Sequence, residues 1–297
     1  MKILCYGALN LDYVYNVPHF MQPGETLSSE GFAIHCGGKG LNQSVALARA
    51  GAPVWHAGAI GPEGGMLQKA LEDNGVNTRF VLTLPNVTTG HASIQVDRTG
   101  QNCILLMGGA NRAIPEAHVD SLLESFEAGD WLVLQNEVNG NAAIMEKAHE
   151  KGMKIVLNPS PMDDAVLALP LQYVDWFILN ELEMEAICGG DVIALMQKYP
   201  KAGIMLTLGS KGAVCYYDGK RYAHGIYKTN VVDTTAAGDT FSGYFIAGIA
   251  NGMDIAETVA QASKAASVAV SRAGAQSSIP IPAEVEAHDG VYVPYSE

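Results

Sequence analysis

Trp131-Leu-Val-Leu-Gln135, Lys154-Ile-Val-Leu-Asn158, Trp176-Phe-Ile-Leu179 and Ile204-Met-Leu-Thr-Leu208 are four short apolar runs, each followed by helix or turn signals. Runs this short and this apolar read as buried strands, and the longer helical patterns between them read as crossovers. The alternation implies βαβ units and a mostly parallel sheet covered by helices on both faces. Toward the start the same rhythm gives a strand over Lys2 to Leu9, a helix over Gly38 to Ala50, a strand over Val54 to Ile60 and a helix over Glu63 to Asn74. Toward the end, 236–251 and 254–271 read as a helical pair joined at Gly252.

Two stretches break the rhythm. Tyr13 to Cys36 carries Pro18, Pro23, Gly24 and Gly31 between alternating segments, and His91 to Met107 reads as two strands around a turn at Asp97 to Gly100. Both look antiparallel, and a small sheet of this kind would form a lid over a site at the carboxyl ends of the parallel strands. No repeat and no long linker divides the chain, so 1–297 reads as one α/β domain with a lid from roughly 12–36 and 89–108.

The chain is 48% hydrophobic with a net charge of −13, which excludes a disordered chain and speaks against nucleic-acid binding, since phosphates need clustered Lys and Arg. The apolar runs are too short to cross a bilayer, and Met1 to Leu9 reads as a buried first strand of a cytoplasmic protein. Five cysteines without a C-x-x-C pair imply free thiols, and scattered histidines imply that any metal is oxygen-ligated.

Neither G-x-G-x-x-G after the first strand nor G-x-x-x-x-G-K-[ST] is present. Instead Asp233-Thr-Thr-Ala-Ala-Gly-Asp239 leads into a long apolar helix. Its small side chains let an anion approach the N–H groups of Ala236, Ala237 and Gly238, where the helix dipole adds partial positive charge. Asp239 has a bland reading as a first-turn acid and a sharper one as the base that takes a proton from a hydroxyl attacking the bound phosphate. A second cluster, Cys36-Gly-Gly-Lys-Gly-Leu-Asn42, is either a tight connection or a polyol-binding loop with donors at Lys39 and Asn42.

Together, Gly37-Gly-Lys-Gly-Leu-Asn42 and Asp233 to Asp239 resemble the two signatures of the PfkB sugar kinases, nearest to the ribose-phosphorylating members. Gly7-Ala-Leu-Asn-Leu-Asp12, Pro23-Gly-Glu-Thr26, Asn158-Pro159, Asn180-Glu-Leu-Glu183, Thr207-Leu-Gly-Ser-Lys-Gly212 and Gly274-Ala-Gln276 extend the resemblance along nearly the whole chain. It implies a three-layer α/β/α ribokinase-like core with a small antiparallel β lid, and phosphorylation of ribose by ATP to ribose 5-phosphate. Asn10, Asp12, Gly37, Gly38, Lys39, Asn42 and Glu137 would hold the sugar, and Asp239 would be the base. Asn180, Glu183, Thr207, Gly209, Ser210 and Gly212 would serve the nucleotide, with Asn180 and Glu183 acting through Mg²⁺ and its waters. Asp233 and Thr235, backbone from Ala269, Arg272 and Gly274, and the Ser278 hydroxyl would form a K⁺ site. A homodimer through the lid is expected, whose exposed edges suit it.

Departures from the family pattern are Tyr244, one turn past Asp239, and Ser263 and Lys264 beside the expected adenine. Another substrate (deoxyribose, a ketose or a nucleoside) and a catalytically silent sugar-binding regulator stay open as alternatives.

Overall fold

Strand β1 (Ile3–Tyr6) shows why the apolar runs are unbroken: Ile3 and Cys5 enter one hydrophobic core, Leu4 and Tyr6 the other. A strand buried on both faces has no polar side to alternate with. In the computed structural model, which describes residues 1–296, β1 is followed by β2 (Asn10–Asn16), β3 (Gly31–Gly37), α1 (Lys39–Arg49), β4 (Val54–Ile60), α2 (Gly65–Asp73) and β5 (Asn77–Thr83). Then come β6 (Gly90–Val96), β7 (Asn102–Met107), α3 (Glu116–Leu123), β8 (Trp131–Gln135), α4 (Asn141–Glu150), β9 (Lys154–Asn158) and α5 (Asp164–Leu167). The remainder comprises β10 (Trp176–Asn180), α6 (Glu181–Cys188), α7 (Val192–Lys198), β11 (Gly203–Thr207), β12 (Ala213–Tyr217), β13 (Lys220–His224), β14 (Ile226–Lys228), α8 (Ala237–Ala250), α9 (Ile255–Val270), α10 (Pro282–Ala287) and β15 (Val291–Val293).

The main sheet has nine strands in the order β13-β12-β11-β10-β9-β8-β1-β4-β5. All neighbours from β5 to β11 are parallel, and β12 and β13 extend the sheet as an antiparallel hairpin. Val133, Val156, Ile178 and Met205 pack under α1, α8 and α9, while Leu134, Leu157, Leu179 and Leu206 pack under α3, α4 and α6. Truncating Leu134, Leu157 or Leu179, the fully buried ones, to Ala would cost roughly 2–5 kcal/mol. The two layers of helices on one sheet form the expected three-layer α/β/α architecture.

The lid is a separate four-stranded sheet in the order β3-β2-β6-β7. Its two hairpins are antiparallel, and they meet where β2 runs parallel to β6. Only Gly7 to Leu9 separate the core strand β1 from the lid strand β2. Gly7 and Gly40 make the junction possible: a Cβ on Gly40 would overlap Gly7 and the Ala8 nitrogen, so the start of α1 touches the end of β1 backbone to backbone. On the lid's outer face, opposite the one that carries Asp12, Phe32, Ile34, Leu105 and Met107 are exposed, Leu105 to 75%. Strands β14 and β15 pair as a small separate ribbon. No helix among the described residues is long and apolar enough to cross a membrane.

Candidate active site

The parallel strands β1, β8, β9, β10 and β11 all end on one side of the sheet, and the polar residues that close or follow them, Asn10, Glu137, Asn158, Asn180 and Thr207, lie at that edge with the start of α8. Such an edge is where open α/β sheets bind ligands. Ala236, the residue capping α8, has φ 59°, a left-handed conformation that is unfavourable for a non-glycine residue. The turn holds through Thr240 N to Ala236 O at 2.8 Å and Ala237 N to Thr234 O at 3.2 Å. Of the three anion donors expected, Ala237 is therefore turned to Thr234. Gly238 keeps a free N–H, and the Asp239 N–H, a donor the sequence reading did not name, is also without a partner among the described residues.

The Asp239 side chain is buried, 7% exposed. Its Oδ2 accepts from Asn42 Nδ2 and its Oδ1 from Gln43 Nε2, both at 3.0 Å, so α1 holds the carboxylate of α8 from across the site. Lys39 and Gly238 line the same polar recess, of about 210 Å³, as Asp239, Asn158, Asn180 and Glu183. The Asp239 charge, ahead of opposing desolvation, raises the Lys39 ammonium above its ordinary range, which keeps it protonated beside the site.

On the lid side, Lys39 N donates to Glu137 Oε2 at 2.9 Å, placing Glu137 beneath the glycine loop. The left-handed φ of 93° at Gly38 is what turns the chain from β3 into α1 at this point. Gly37 pairs with Asn10, and a Cβ there would overlap the Asp12 carboxylate, so Asp12 lies flat against the loop. Burial, and then the charge of Glu137, push the Asp12 carboxyl up to about 7. Burial also raises Glu137. Asn10 Oδ1 accepts from Asn111 Nδ2 at 2.8 Å, while Asn111 Oδ1 takes the Leu9 N–H at 3.0 Å. The structure thus brings Asn10, Asp12, Gly37, Gly38, Lys39 and Glu137 into mutual contact where the lid joins the core, sets Asn42 on Asp239, and adds Asn111.

A larger cavity of about 470 Å³ opens on the other side of α8, lined by Thr207, Gly209, Ser210, Gly212, Tyr227, Phe241 and Ser263. It shares Thr207, Thr234 and Gly238 with the polar recess, so the two meet at the helix N-terminus. The lining is mostly apolar, as a nucleobase requires, and the buried Ser263 hydroxyl oxygen has no partner, leaving a hydrogen-bonding group for one. Lys211 points away to Glu181, 3.2 Å off at the surface, and Lys264 to the Glu286 carbonyl at 3.0 Å. Tyr244 is accommodated fully buried, its hydroxyl donating to Pro280 O at 2.9 Å.

Asn180 and Glu183 form a capping box on α6: Glu183 N donates to Asn180 Oδ1 at 2.9 Å and Asn180 N to Glu183 Oε2 at 2.9 Å. The helix-cap reading of Glu183 therefore holds. Both side chains nevertheless face the polar recess, and carboxylate and amide oxygens suit a magnesium ion that keeps its waters. Asp233 spans the loop before α8 and the segment after α9, accepting from Thr235 N and Gly274 N at 2.9 Å each. Burial opposes its ionisation, but these bonds outweigh it and hold the carboxyl below its usual range. An ionised carboxylate tied to this loop, with the Ser278 hydroxyl buried farther along the segment after α9, is the kind of oxygen donor that a large monovalent cation takes. Arg272 directs its guanidinium at Glu284, 2.7 Å away, leaving only its backbone for such an ion.

The sequence reading missed Gln43, Asn111 and the wall residues Thr234, Ser160 and Ser242. Single amides and hydroxyls inside elements carry no local signal, and the Gln43 and Asn111 contacts span 196 and 101 positions.

The profile of the pfkB family carbohydrate kinases matches residues 1–282. A ribokinase of Haemophilus influenzae is 36% identical over 291 residues, 92% of this chain and 94% of that protein. Among solved structures, a ribokinase of Cryptococcus neoformans in complex with ADP superposes with a TM-score of 0.82 at 33% identity, covering 96% of this chain and 98% of that one. A ribokinase of Arabidopsis thaliana complexed with ribose and ATP gives a TM-score of 0.84 at 28% identity, with 96% and 97% covered.

Proposed function

The chain belongs to the pfkB family of carbohydrate kinases, and from that premise we propose that it transfers the γ-phosphoryl group of ATP to the primary hydroxyl of ribose, giving ribose 5-phosphate and ADP. The observation that carries the reading is the position of Asp239, buried against Asn42 and Gln43 of α1, in a polar recess with Lys39, at a helix N-terminus with free N–H donors. The sugar hydroxyl oxygen bonds to the γ-phosphorus as the bond to ADP breaks, and the hydroxyl proton passes to Asp239. Gly238 and Asp239 N–H groups and the Lys39 ammonium stand where charge accumulates on the transferring group. Asn10, Asp12, Lys39, Asn42 and Glu137 hold the other hydroxyls so that a single one faces the phosphate.

The apolar cavity lined by Thr207, Gly209, Ser210 and Gly212 takes the nucleotide. Mg²⁺, held through water by Asn180 and Glu183, would screen the phosphate charge. K⁺ at Asp233, Thr235 and Ser278, with the carbonyls of Ala269, Arg272 and Gly274, would fix the turn that presents the Gly238 and Asp239 N–H groups. A cytoplasmic homodimer that buries the apolar outer face of the lid completes the reading.

A coupled ADP-release screen over pentoses, hexoses and nucleosides, with Mg²⁺ and K⁺ present, tests it. Ribose is expected to give the highest kcat/KM. Activity on nucleosides alone would move the substrate, and sugar binding without ADP release would establish a silent regulator.

A further inference from the structure

We propose that Gln43 is the positioning residue for Asp239, holding the Oδ1 side of its carboxylate fixed while Asn42 is the contact that Oδ2 gives up when the sugar arrives. This rests on the reading of Asp239 as the base. Gln43 lies in α1, completely buried. Its Nε2 donates to Asp239 Oδ1 and to Asn158 Oδ1, both at 3.0 Å, and its Oε1 accepts from Gln135 Nε2 at 2.8 Å. Both amide protons and the carbonyl are therefore engaged. A flipped amide would set oxygen against two oxygens and nitrogen against nitrogen, so the network allows one orientation only.

The partners of Gln43 are themselves anchored. Gln135 ends β8, where its main-chain carbonyl takes the Asn141 side-chain N–H at 2.7 Å and its Nε2 also reaches Cys5 Sγ at 3.7 Å, while Asn158 ends β9 and its Nδ2 donates to Ile178 O at 3.0 Å. Two core strands thus hold the amide that holds the base.

Asn42 differs in one respect. Its Nδ2 bonds Asp239 Oδ2 at 3.0 Å, but its Oδ1 is buried and has no hydrogen-bond partner. An orphaned buried acceptor gains from an incoming hydroxyl donor, whereas Gln43, already satisfied, gains nothing by moving. Sugar binding then draws Asn42 toward the ligand and leaves Oδ2 open to the proton, with Oδ1 still clamped.

The test is a cycle between Gln43→Met and Asp239→Asn. Alone, Gln43→Met is expected to lower kcat roughly 10- to 100-fold, the worth of a charge-assisted hydrogen bond, with KM for ATP within about twofold of wild type. In the Asp239→Asn background it should cause no further loss, because the carboxylate it positions is gone. Multiplicative losses would show a general packing effect and overturn the proposal. Should Gln43→Met fold poorly, Gln135→Leu leaves Gln43 present but removes the donor that orients it, and the same silence behind Asp239→Asn is expected. A crystal structure of the Gln43→Met variant provides a readout independent of activity: Asp239 is expected in a new rotamer, and an unmoved Asp239 overturns the proposal. If the wild-type protein releases no ADP with any sugar, the kinase reading fails, and that structure still decides the role of Gln43.

Discussion

Lowering the pH from 8 to 5.5 should weaken the sugar far more than the nucleotide, and Asp12 is the reason. Its carboxyl is pushed up to about 7, first by burial against the Gly37 loop and then by the charge of Glu137. A protonated Asp12 offers one acceptor oxygen fewer to the sugar hydroxyls. If the ionised form binds, the apparent KM rises by a factor of 1 + 10^(7−pH), which is about 11-fold at pH 6 relative to the high-pH plateau. The KM for ATP should stay nearly flat, because Asp12 is on the lid side and not in the nucleotide cavity.

Stability moves with the same group. A carboxyl whose folded pKa lies above its unfolded value of 3.8 favours the fold fully below that value and loses its contribution as pH rises through about 7. Asp12→Asn should therefore raise Tm at pH 8, leave it unchanged near pH 3.5, and abolish the acid rise in sugar KM. Steady-state kinetics in buffers of constant ionic strength, with thermal melts across the same range, supply both measurements. A sugar KM that is flat from pH 8 to 5.5 would refute the reasoning. So would an acid limb that survives in Asp12→Asn and disappears in Glu137→Gln, which would move the titration to Glu137.

Asp239→Asn should lower kcat by roughly 10² to 10⁴ with nucleotide binding nearly intact, and a wild-type kcat would remove Asp239 from the reaction. Replacing K⁺ by Na⁺ or Li⁺ at fixed ionic strength should lower activity, and Asp233→Ala should erase the difference; equal rates in the three salts count against a cation at Asp233 and Thr235. Leu105→Asp on the exposed face of β7 should shift the protein from dimer to monomer in sedimentation while leaving Tm within a few degrees, and an unchanged sedimentation coefficient would place the interface elsewhere.

The core strands were legible wherever both faces are buried. Val54 to Ile60, Trp131 to Gln135 and Lys154 to Asn158 match their runs residue for residue. Strand β1 is shorter than Lys2 to Leu9 because the ladder closes with Gly7 N on Ala57 O, and Leu9 N then bonds the Asn111 side chain as the chain leaves for the lid. Edge elements were harder. In β5 and β13 exposed polar residues interrupt the apolar pattern, as Asn77, Arg79, Lys220 and Arg221 do, and an antiparallel hairpin on a parallel sheet has no counterpart in a βαβ rhythm. The candidate site follows the same division. Glycines and acids in compact signatures could be read locally, whereas Gln43 and Asn111 act through partners that only folding brings near.

The three residues between β1 and β2 tie recognition to enclosure. Asn10 opens β2 with Gly37 beside it on one strand and Gly90 on the other, and Asp12 lies two residues farther along the same strand. If Asn10 and Asp12 hold the sugar as proposed, the sheet that roofs the site is also the sheet that grips its occupant. A rigid displacement of that roof would move Asn10 and Asp12 as one piece, so on the proposed reading cover and polar grip are a single structural unit.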